Sequence, residues 1–583
     1  MLLGLLPTAV FAADAIDYGF TINGTAVTSE NIGSLPGVTG TVSYDQATKT
    51  LTLDGVTITS SNRKAIECRD GVAAIKLVGA NEILFTAEAA VAAKKTQICG
   101  IYQGNRDKVL TVFGSSHSDS LKITIPKITN HTLDREYPAN CIYAAENLEI
   151  KSCTLDILNP EILFLGSDSP LLYSKNGNIT IKDCDLKAVL GKDRSGEINA
   201  VSRGCIVSAR QGDITITDSK VKAGVFSTNV GFFAAIDGAN ITVTGSELDV
   251  KVDVATNGAP DYAYDGYSVR ALHIENRSGK INLTNCIGTI EVGSSNHCKC
   301  FGIDIWPGAE SECLTIDACT LTINILGTNM TLGKEQAILI QDDSDTATNK
   351  WPIFKNISAF TYGDTADSTV TKALGSTETG FWRKHYLKIK AAPTALTLDQ
   401  TALELVSGNS RTLTATVTPA HAEQNVTWTS SNESVATVEN GVVTAVRAGI
   451  ATITASASGQ SASCTVTVKE PTYTVTLHTG DGTIADGKNV TEYTYGTGIA
   501  LPTADDVTYT GHTFKGWYDN EGLAGDPVTE ISDSETGNKE YWAKWEINQY
   551  TITVKPENGK ADITITQDYG TPITAPADPT REG

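Results

Sequence analysis

The sequence predicts an all-β protein whose larger part is a parallel β-helix, followed by smaller β modules. Three observations lead to this prediction. Charged residues make up only 19% of the chain and apolar residues 40%, with many Thr and Gly, which is typical of β proteins. A strand-like phrase recurs between residues 147 and 323. From residue 391 the phrase stops, and short alternating strands separated by turns take its place.

The repeated phrase reads "NITIKDCDLKA" at 178–188, with close copies such as "NLEIKSCTLDI" at 147–157 and "DITITDSKVKA" at 213–223. Its seventh position is always Cys or Ser, at spacings of 31, 35, 27, 40 and 33 residues. A strand-like repeat of this period, broken by Gly, Asn and Asp turns, is typical of a solenoid. The seventh-position residues are Cys153, Cys184, Ser219, Ser246, Cys286 and Cys319.

Alternation within the phrase predicts which side chains point inward. Ile179 and Ile181 share one face, Asp183 marks a bend, and Cys184 resumes the inward face after it. Each phrase is therefore two short strands that meet at a corner. We expect the corner to have room only for a small side chain, since a free Cys behaves as a small buried hydrophobe.

A third strand precedes each phrase, for example "CIYAAEN" at 141–147, "LLYSKNG" at 171–177 and "ALHIEN" at 271–276. Three short strands that close on themselves make one coil of a parallel β-helix. We expect about nine coils over residues 15–390, stacked at ~4.8 Å and stabilised by their neighbours.

The opening "GTVSYDQATKTLTLDGVTI" at 40–58, together with the repeated phrase, resembles the right-handed parallel β-helices of secreted bacterial proteins. These stretches of sequence are most similar to the carbohydrate-binding-type β-helix domains of anaerobic Firmicutes. The resemblance implies a right-handed coil and a carbohydrate ligand.

The register of the third strand predicts an outward row with one residue per coil. Three consecutive tyrosines in this row would form an aromatic patch that suits sugar rings, and the alternative is a stacking ladder that only stabilises the sheet. The predicted row is Glu67, Tyr102, Tyr143, Tyr173, Val207, Ala235, His273, Asp304 and Leu339.

His273 and Asp304 are neighbours in this row and could form an acid/base pair, although a surface ion pair is the favoured alternative. A polysaccharide lyase or glycoside hydrolase needs two or three carboxylates, or carboxylates with basic residues, converging on one groove. The sequence shows no ordered series of that kind along the solenoid. An enzyme is therefore the second hypothesis, after a binding protein, and a structural spacer without a ligand is the third.

Two loops offer further candidate ligands. The segment "DYAYDGYS" at 261–268 lies in the longest gap between phrases and could bind a sugar or Ca²⁺. The segment "QDDSDT" at 341–346 could bind Ca²⁺, but it lacks the Gly and distal Glu of an EF-hand loop, which favours a solvated acidic turn. The candidate residues are Asp261, Tyr262, Tyr264, Asp265 and Tyr267 in the first loop and Asp342, Asp343 and Asp345 in the second.

No cofactor is predicted apart from this Ca²⁺ option. The pair Cys298 and Cys300 in "CKC" has no His or Cys partner at a recognised metal-site spacing.

Residues 391–469 are predicted to form a β-sandwich, because short alternating strands are separated by turns every ~8–12 residues. The phrases "VTWTSSNESVATV" at 426–438 and "GVVTAVRAGIATITA" at 441–455 resemble the bacterial Ig-like domain of group 2. The resemblance implies that Trp428 is the core aromatic residue.

Residues 470–547 form another module, since "YTVTLHTGDG" at 473–482 recurs as "YTITVKPENG" at 550–559. With "GHTFKGWYDN" and "YWAKWE", this module resembles the internalin-type B repeat, also called the Listeria–Bacteroides repeat, which implies a β-grasp-like fold. Its aromatic residues are expected to be core residues more than ligand contacts. They are Phe514, Trp517, Trp542 and Trp545. Residues 548–583 match a second copy that stops early, so we expect a fragment of a longer surface protein with its anchor further on.

The first residues, "MLLGLLPTAVFAADA", have an apolar core followed by small residues, which predicts the remnant of a secretory signal over 1–14 with cleavage after Ala12. No other apolar run approaches the ~18–20 residues of a membrane span. The net charge of −22 disfavours nucleic acid and anionic membranes as partners. We therefore expect a monomeric, secreted or cell-surface, adhesin-like protein. Its β-helix would present a face to a polysaccharide or a host or cell-wall glycan, and the later modules would form a stalk.

Overall fold

The computed structural model describes most of the chain in sixteen segments. They are residues 14–86, 89, 97–125, 139–159, 170–192, 203–227, 232–254, 268–276, 278–294, 299–305, 313–327, 336–340, 352–366, 369–373, 384–557 and 559–577. The predicted signal remnant lies outside them, apart from Asp14.

The protein is all-β, as predicted, and its compact regions form two units. The first unit comprises the chain up to Ala395, with the short segments Val417–Asn425 and Ser458–Gln460. The second comprises Leu396–Thr416, Val426–Ala457 and Ser461–Gly583.

The first unit contains three sheets of parallel strands that the chain visits in turn, and we call this part the coiled domain. The first sheet contains Lys64–Cys68, Ile98–Gln103, Ala139–Ala144, Leu172–Ser174, the first parts of Arg203–Thr217 and Phe232–Thr244, Ser268–Ile274, Lys299–Ile305 and Gln336–Ile340. The second contains the first part of Thr50–Ser60, Ala74–Val78, Leu110–Phe113, Leu148–Lys151, Ile179–Lys182, the second parts of Arg203–Thr217 and Phe232–Thr244, Ile281–Thr284, Leu314–Asp317 and Ile353–Lys355. The third contains the second part of Thr50–Ser60, Ala80–Phe85, Ser120–Thr124, Thr154–Asn159, Asp185–Leu190, Lys220–Ser227, Glu247–Val254, Ile287–Ser294 and Thr320–Gly327.

Within each sheet, a strand pairs in parallel with the strand one repeat away, as Ile181 does with Ile150 and with Ile216. This pairing is compatible with the predicted parallel β-helix. The alternation in the phrase also holds, because Ile179 and Ile181 are fully buried while Lys182 is exposed. The interior is a continuous apolar core that runs through the stacked coils.

Antiparallel strands pair with strands at both ends of the coiled domain. At the start, Asp17–Ile22 pairs antiparallel with Lys64–Cys68, and Val38–Asp45 pairs antiparallel with Thr50–Ser60. Asp17–Ile22 also pairs with Thr25–Thr28. At the other end, Tyr386–Ala391 pairs antiparallel with Thr320–Gly327 and with Ile357–Gly363, which in turn pairs with Thr369–Ala373.

The corner between the second and third sheets is made by two consecutive positions of the phrase. The sixth position takes a left-handed backbone conformation in successive coils, with φ of 53° at Asp183 and 50° at Asp218. The sharp bend predicted at Asp183 is thus confirmed. The sixth-position residues with positive φ are Ser152, Asp183, Asp218, Gly245, Asn285 and Ala318.

The seventh position does more than fill a small space. The Ser219 hydroxyl donates to the carbonyl of Thr217 at 2.7 Å and accepts the backbone N–H of Cys184, one coil earlier, at 3.0 Å. The N–H of Ser219 is in turn donated to the Ser246 hydroxyl at 3.1 Å. Each of these residues is buried, so water could not replace the hydroxyl as the acceptor of its N–H.

The cysteines in this position make the same contacts with sulfur. The N–H of Cys286 donates to the sulfur of Cys319 at 3.3 Å, and the Cys319 thiol lies 3.2 Å from the carbonyl of Asp317. We call this series of contacts the corner relay. It explains why Cys and Ser exchange here, because both are small and both carry one atom that donates and accepts. The prediction that the position requires only a small side chain was incomplete.

The described cysteines are all buried and none forms a disulfide. Burial, together with the nearby Glu67 carboxylate, raises the pKa of the Cys68 thiol to about 12. Cys141 also has its pKa raised by burial. A thiol of this kind is protonated and inert at neutral pH.

The second unit holds two β modules and a final hairpin. In the first module Ala402–Val406, Gln460–Lys469, Gly449–Ala457 and Thr427–Ser430 form one sheet, and Ser410–Thr412, Val442–Ala445 and Ala436–Glu439 form another. Trp428 packs, half-buried, against the core of this module. The remaining strands in this part of the chain are Ala395–Leu398 and Ala415–Thr418.

In the second module, Glu492–Thr494, Thr472–His478, Lys539–Ile547 and His512–Tyr518 form a four-stranded sheet. The short strands Thr483–Ile484 and Val507–Thr508, and Ile499–Ala500 and Glu530–Ile531, form two further pairs. The final hairpin consists of Gln549–Val554 and Ile563–Asp568.

The aromatic residues of the second module divide into core and surface. Trp517 is buried and donates its Nε1–H to the carbonyl of Pro502 at 2.8 Å. Phe514 and Trp545 pack against the same core. Trp542 instead stacks on His478, with ring centroids 4.8 Å apart.

The corner relay predicts how the chain responds to changes at Ser219. Ser219→Ala should lower the free energy of unfolding by about 1–3 kcal/mol, because the buried N–H of Cys184 loses its acceptor. Ser219→Cys should stay close to the parent protein, since sulfur replaces both contacts. Urea unfolding of the full chain measures this difference, and equal losses in the two variants would contradict the relay.

Candidate functional site

The outer face of the first sheet carries one row of side chains, and the structure fixes its register. Adjacent coils pair Glu67 with Tyr102, Tyr102 with Tyr143, and Tyr143 with Tyr173. Further along, the pairs continue to His273, Asp304 and Leu339, as the sequence predicts. The observed row is Glu67, Tyr102, Tyr143, Tyr173, Ser208, Asp237, His273, Asp304 and Leu339.

Two members of the predicted row were wrong. Tyr173 pairs with Ser208 and not with Val207. The prediction failed here because every residue from Cys205 to Ser208 is buried, so no alternation of buried and exposed residues shows which side chains point outward. Ser208 pairs with Asp237 and not with Ala235.

The second error has a structural cause in the turn that follows the strand. Ala209 pairs with Gly238, and Asp213 pairs with Asn240. Three residues, 210–212, separate the two paired positions in one coil, whereas only Ala239 separates them in the next. Counting back from the repeated phrase therefore misplaces the row by two residues. Sequence reasoning thus missed Asp237, which proves to be central to the row.

The three tyrosines form a ladder in which the rings contact one another. Tyr102 and Tyr143 stack with centroids 4.8 Å apart and planes 13° from parallel, and Tyr173 meets Tyr143 edge-on at 5.6 Å. The ammonium group of Lys64 lies 3.3 Å from the centroid of the Tyr102 ring. Neighbouring groups therefore occupy both faces of Tyr102. Burial, with the neighbouring Tyr102 and Tyr173 rings, raises the pKa of Tyr143 to about 12, so its hydroxyl stays protonated.

A polar cavity of about 400 Å³ opens beside the start of the row. Glu67 and Lys64 line this cavity and lie next to Tyr102 of the tyrosine ladder. They form an ion pair at 2.6 Å. Burial raises the pKa of Glu67, but Lys64 and Arg69 lower it more, so it lies below its ordinary value. The cavity is lined by Thr21, Gly24, Asn62, Arg63, Lys64, Glu67 and Gln97.

The cavity wall is built by hydrogen bonds that fix its polar side chains. Asn62 donates its side-chain N–H to the carbonyl of Asn23 at 2.6 Å, which fixes the turn that contains Gly24. Gly24 has a φ of 76°, and an added Cβ would lie 2.9 Å from the Asn62 side chain. Gln97 donates to the side-chain oxygen of the buried Asn140 at 2.5 Å. The Asn62 and Gln97 side chains are thus held in place before any ligand binds.

At the other end of the row, charged side chains form a buried cluster. His273 Nδ1 lies 3.0 Å from Asp237 Oδ1, and His273 Nε2 lies 3.9 Å from Asp304 Oδ2. Arg210 Nε is 2.6 Å from the other Asp237 oxygen, and Arg270 Nε is 2.5 Å from Asp304 Oδ2. We call these five residues the charge ladder. The structure brings His273 and Asp304 together as predicted, but both are at most 4% exposed.

The charge ladder alternates basic and acidic groups from coil to coil. Burial by itself raises the pKa of Asp237, but the hydrogen bond and charge of His273 and the Arg210 guanidinium lower it more, so the net shift is downward. His273 Nε2 has no hydrogen-bond partner in the part of the chain that the structure describes, and it carries a free electron pair in the tautomer that donates from Nδ1 to Asp237. The ladder can therefore stabilise the sheet or hold a proton at Nε2.

Other predicted candidates lie outside the described residues. They are Asp261, Tyr262, Tyr264, Asp265, Tyr267, Asp342, Asp343 and Asp345. The sugar or Ca²⁺ role of both loops stays a prediction, as does the right hand of the coil. Across the described segments, no group of three or more His, Cys, Asp or Glu side chains is placed to hold a metal ion.

Comparison with known families identifies the two C-terminal modules. A model described as the bacterial Ig-like domain (group 2) matches residues 392–468, and the Listeria–Bacteroides repeat domain matches residues 473–544. Both matches agree with the predicted modules.

Similarity to curated proteins is confined to short segments. A lacto-N-biosidase of Bifidobacterium bifidum is 54% identical over 71 residues, which is 12% of this chain and 6% of that protein. An alpha-L-arabinofuranosidase of Bifidobacterium longum is 49% identical over 86 residues, 13% of this chain and 8% of that protein. A protein of Evansella cellulosilytica named as a Gly-rich membrane protein is 40% identical over 96 residues, 16% of this chain and 10% of that protein.

The chain covers less than a fifth of the length of each of these relatives. Together, the two module families and the names of the relatives support a modular, surface-associated protein. Among the described residues, no helix has both the length and the apolar character needed to cross a membrane.

The charge ladder predicts a specific pH dependence of stability. Because the pKa of Asp237 is below its ordinary value of 3.8 in the folded protein, its contribution is present above pH 3.8 and is lost as the pH falls through the folded-state value. Asp237→Asn should cost about 3 kcal/mol at pH 7, the low end for a broken buried pair because Arg210 is half-exposed.

Urea unfolding of the full chain between pH 2 and pH 7 tests this expectation. The difference between parent and Asp237→Asn should shrink toward the acid end of that range. Asp249→Asn, which changes an exposed carboxylate on the third sheet, is the control and should behave as the parent does. A difference for Asp237→Asn that does not change with pH would contradict the role of its charge.

Proposed function

We propose that this chain is an extracellular carbohydrate-binding protein, and that the coiled domain binds the glycan on the outer face of its first sheet. The observation that carries the proposal is the polar cavity beside Glu67, Lys64 and Tyr102. Its lining offers amide, hydroxyl, guanidinium, ammonium and carboxylate groups, a mixture that suits a ligand covered with hydroxyls. A volume of about 400 Å³ is in the range of small-ligand sites.

The fixed geometry of the lining supports binding. The Asn62 and Gln97 amides and the Lys64–Glu67 pair are positioned by contacts within the protein, so less conformational freedom is lost when a ligand enters. The neighbouring tyrosine ladder extends the rigid surface along the row. Because the faces of Tyr102 are occupied, we assign to the ladder a supporting role and to the cavity the contacts with hydroxyl groups.

The modular organisation supports the same proposal. Two of the relatives carry names of enzymes that act on carbohydrates, and both share only short segments with this chain. In such an arrangement, the Ig-like and repeat modules act as a stalk that holds the coiled domain away from the surface. The binding function and the stalk are both parts of the proposal.

A glycan array probed with the full chain tests the proposal. The double variant Lys64→Gln/Glu67→Gln keeps the volume of the lining and removes its ion pair, so the dissociation constant of a bound glycan should rise at least about tenfold. The matched control is Lys251→Gln/Glu291→Gln, which removes a cross-coil ion pair of 3.2 Å on the third sheet.

The control should bind as the parent protein does. Binding that both double variants retain in full would remove the cavity as the site, and an array without any bound glycan would overturn the proposed function. Thermal unfolding of each variant shows whether a loss of binding reflects a loss of fold.

A polysaccharide lyase or glycoside hydrolase is the second candidate, because Asp237 orients His273 and leaves its Nε2 without a hydrogen-bond partner among the described residues. This candidate predicts that the full chain releases reducing ends from a polysaccharide, and that His273→Asn abolishes the release. Asp249→Asn, on another sheet, should leave it unchanged. No turnover on plant and host polysaccharides would remove the candidate.

A further inference from the structure

Arg63 differs from the other charged residues of the polar cavity. Lys64 and Glu67 are paired with each other, and Glu67 is also 3.4 Å from Arg69. The guanidinium of Arg63, by contrast, has neither a hydrogen-bond nor an ion-pair partner within the described segments, although it is half-buried in the cavity wall. A half-buried guanidinium without a protein partner is poised to bind an anionic group from outside.

The local charge favours an anion as well. The lining contains two cations, Arg63 and Lys64, and one carboxylate, Glu67, so it is positive by one charge in a chain with a net charge of −22. Arg69, beside Glu67 and 60% exposed, adds a further positive charge close by. An acidic protein that keeps a positive cavity has a local field that attracts anions and not cations.

The planar guanidinium has a fork of N–H donors that matches the two oxygens of a carboxylate. Asn62, Thr21 and Gln97 lie around the same cavity and offer hydrogen bonds to hydroxyl groups. A ligand that satisfies both sets must combine a carboxylate with several hydroxyls on one small ring.

We propose that the cavity binds an acidic sugar, a uronic acid or a sialic acid, and that Arg63 binds its carboxylate. This inference rests on the proposed carbohydrate-binding function and adds the class of sugar to it. Uronic acids and sialic acids both carry a carboxylate. Matched pairs of probes, one member with this group and one without it, show which of the two sugars binds.

Calorimetric titration of the full chain provides the test. The probes are tetragalacturonate with its carboxyl-reduced counterpart, and sialyllactose with lactose. At least one acidic member should bind at least about tenfold more tightly than its neutral partner, and added salt should weaken that binding. The pair that shows the difference identifies the source of the carboxylate.

Arg63→Gln should remove the preference for the acidic member, and Arg63→Lys should restore only a part of it, because an ammonium keeps the charge without the fork. Arg69→Gln is the matched control, since it removes a nearby guanidinium that does not line the cavity. This variant keeps the Arg63 fork, so it should still bind the acidic member more tightly than the neutral one.

The outcomes separate this inference from the proposed function. Equal binding of acidic and neutral members, an unchanged preference in Arg63→Gln, or failure of both acidic probes to bind overturns the acidic-sugar site. A neutral glycan bound on the array would leave the carbohydrate-binding function standing in each of these cases. Absence of any glycan binding overturns both.

Discussion

Hydrogen bonds from one coil to the next at the sharp corner hold the coiled domain together. The left-handed residue before the corner turns the backbone, and the Cys or Ser of the next coil accepts the N–H that this turn would leave buried and unpaired. Because each side chain accepts from the coil before it, every coil depends on its neighbour. The apolar interior supplies most of the burial, while the relay fixes where each strand begins.

Because the interior and the corner relay hold the coils together, the side chains on the outer face of the first sheet are free to vary. The row on this face changes from an open polar cavity at Glu67 through stacked tyrosines to buried charges around His273. All these groups share one backbone register, so differences in chemistry along the row arise from side chains alone. The corner and the interior therefore hold each coil in place, while the outward row combines the polar cavity at one end with buried ion pairs that stabilise the sheet at the other.

The sequence predicted the class of fold, the outward row and its neighbours His273 and Asp304, because a repeated phrase carries its own register. It misplaced Ala235 because the turn after the strand changes length and nothing local in the sequence marks which residues the turn loses. It misplaced Val207 because the strand around it is buried throughout and shows no alternation. The acceptor role of Ser219 also escaped prediction, because it depends on an N–H in another coil. Arg63 could not be singled out, since a missing partner is a property of three-dimensional surroundings.

The antiparallel strands at the ends of the coiled domain have a consequence for assembly. A stack of parallel coils with bare ends presents rows of unpaired backbone groups, on which further copies could grow into a fibre. Asp17–Ile22 runs antiparallel to the first strand of the first sheet, and Tyr386–Ala391 runs antiparallel to the last strand of the third sheet, so each closes one of those rows. A coil inserted or removed between these two strands would leave both closed edges in place, so the number of coils and the protection of those edges are independent of each other.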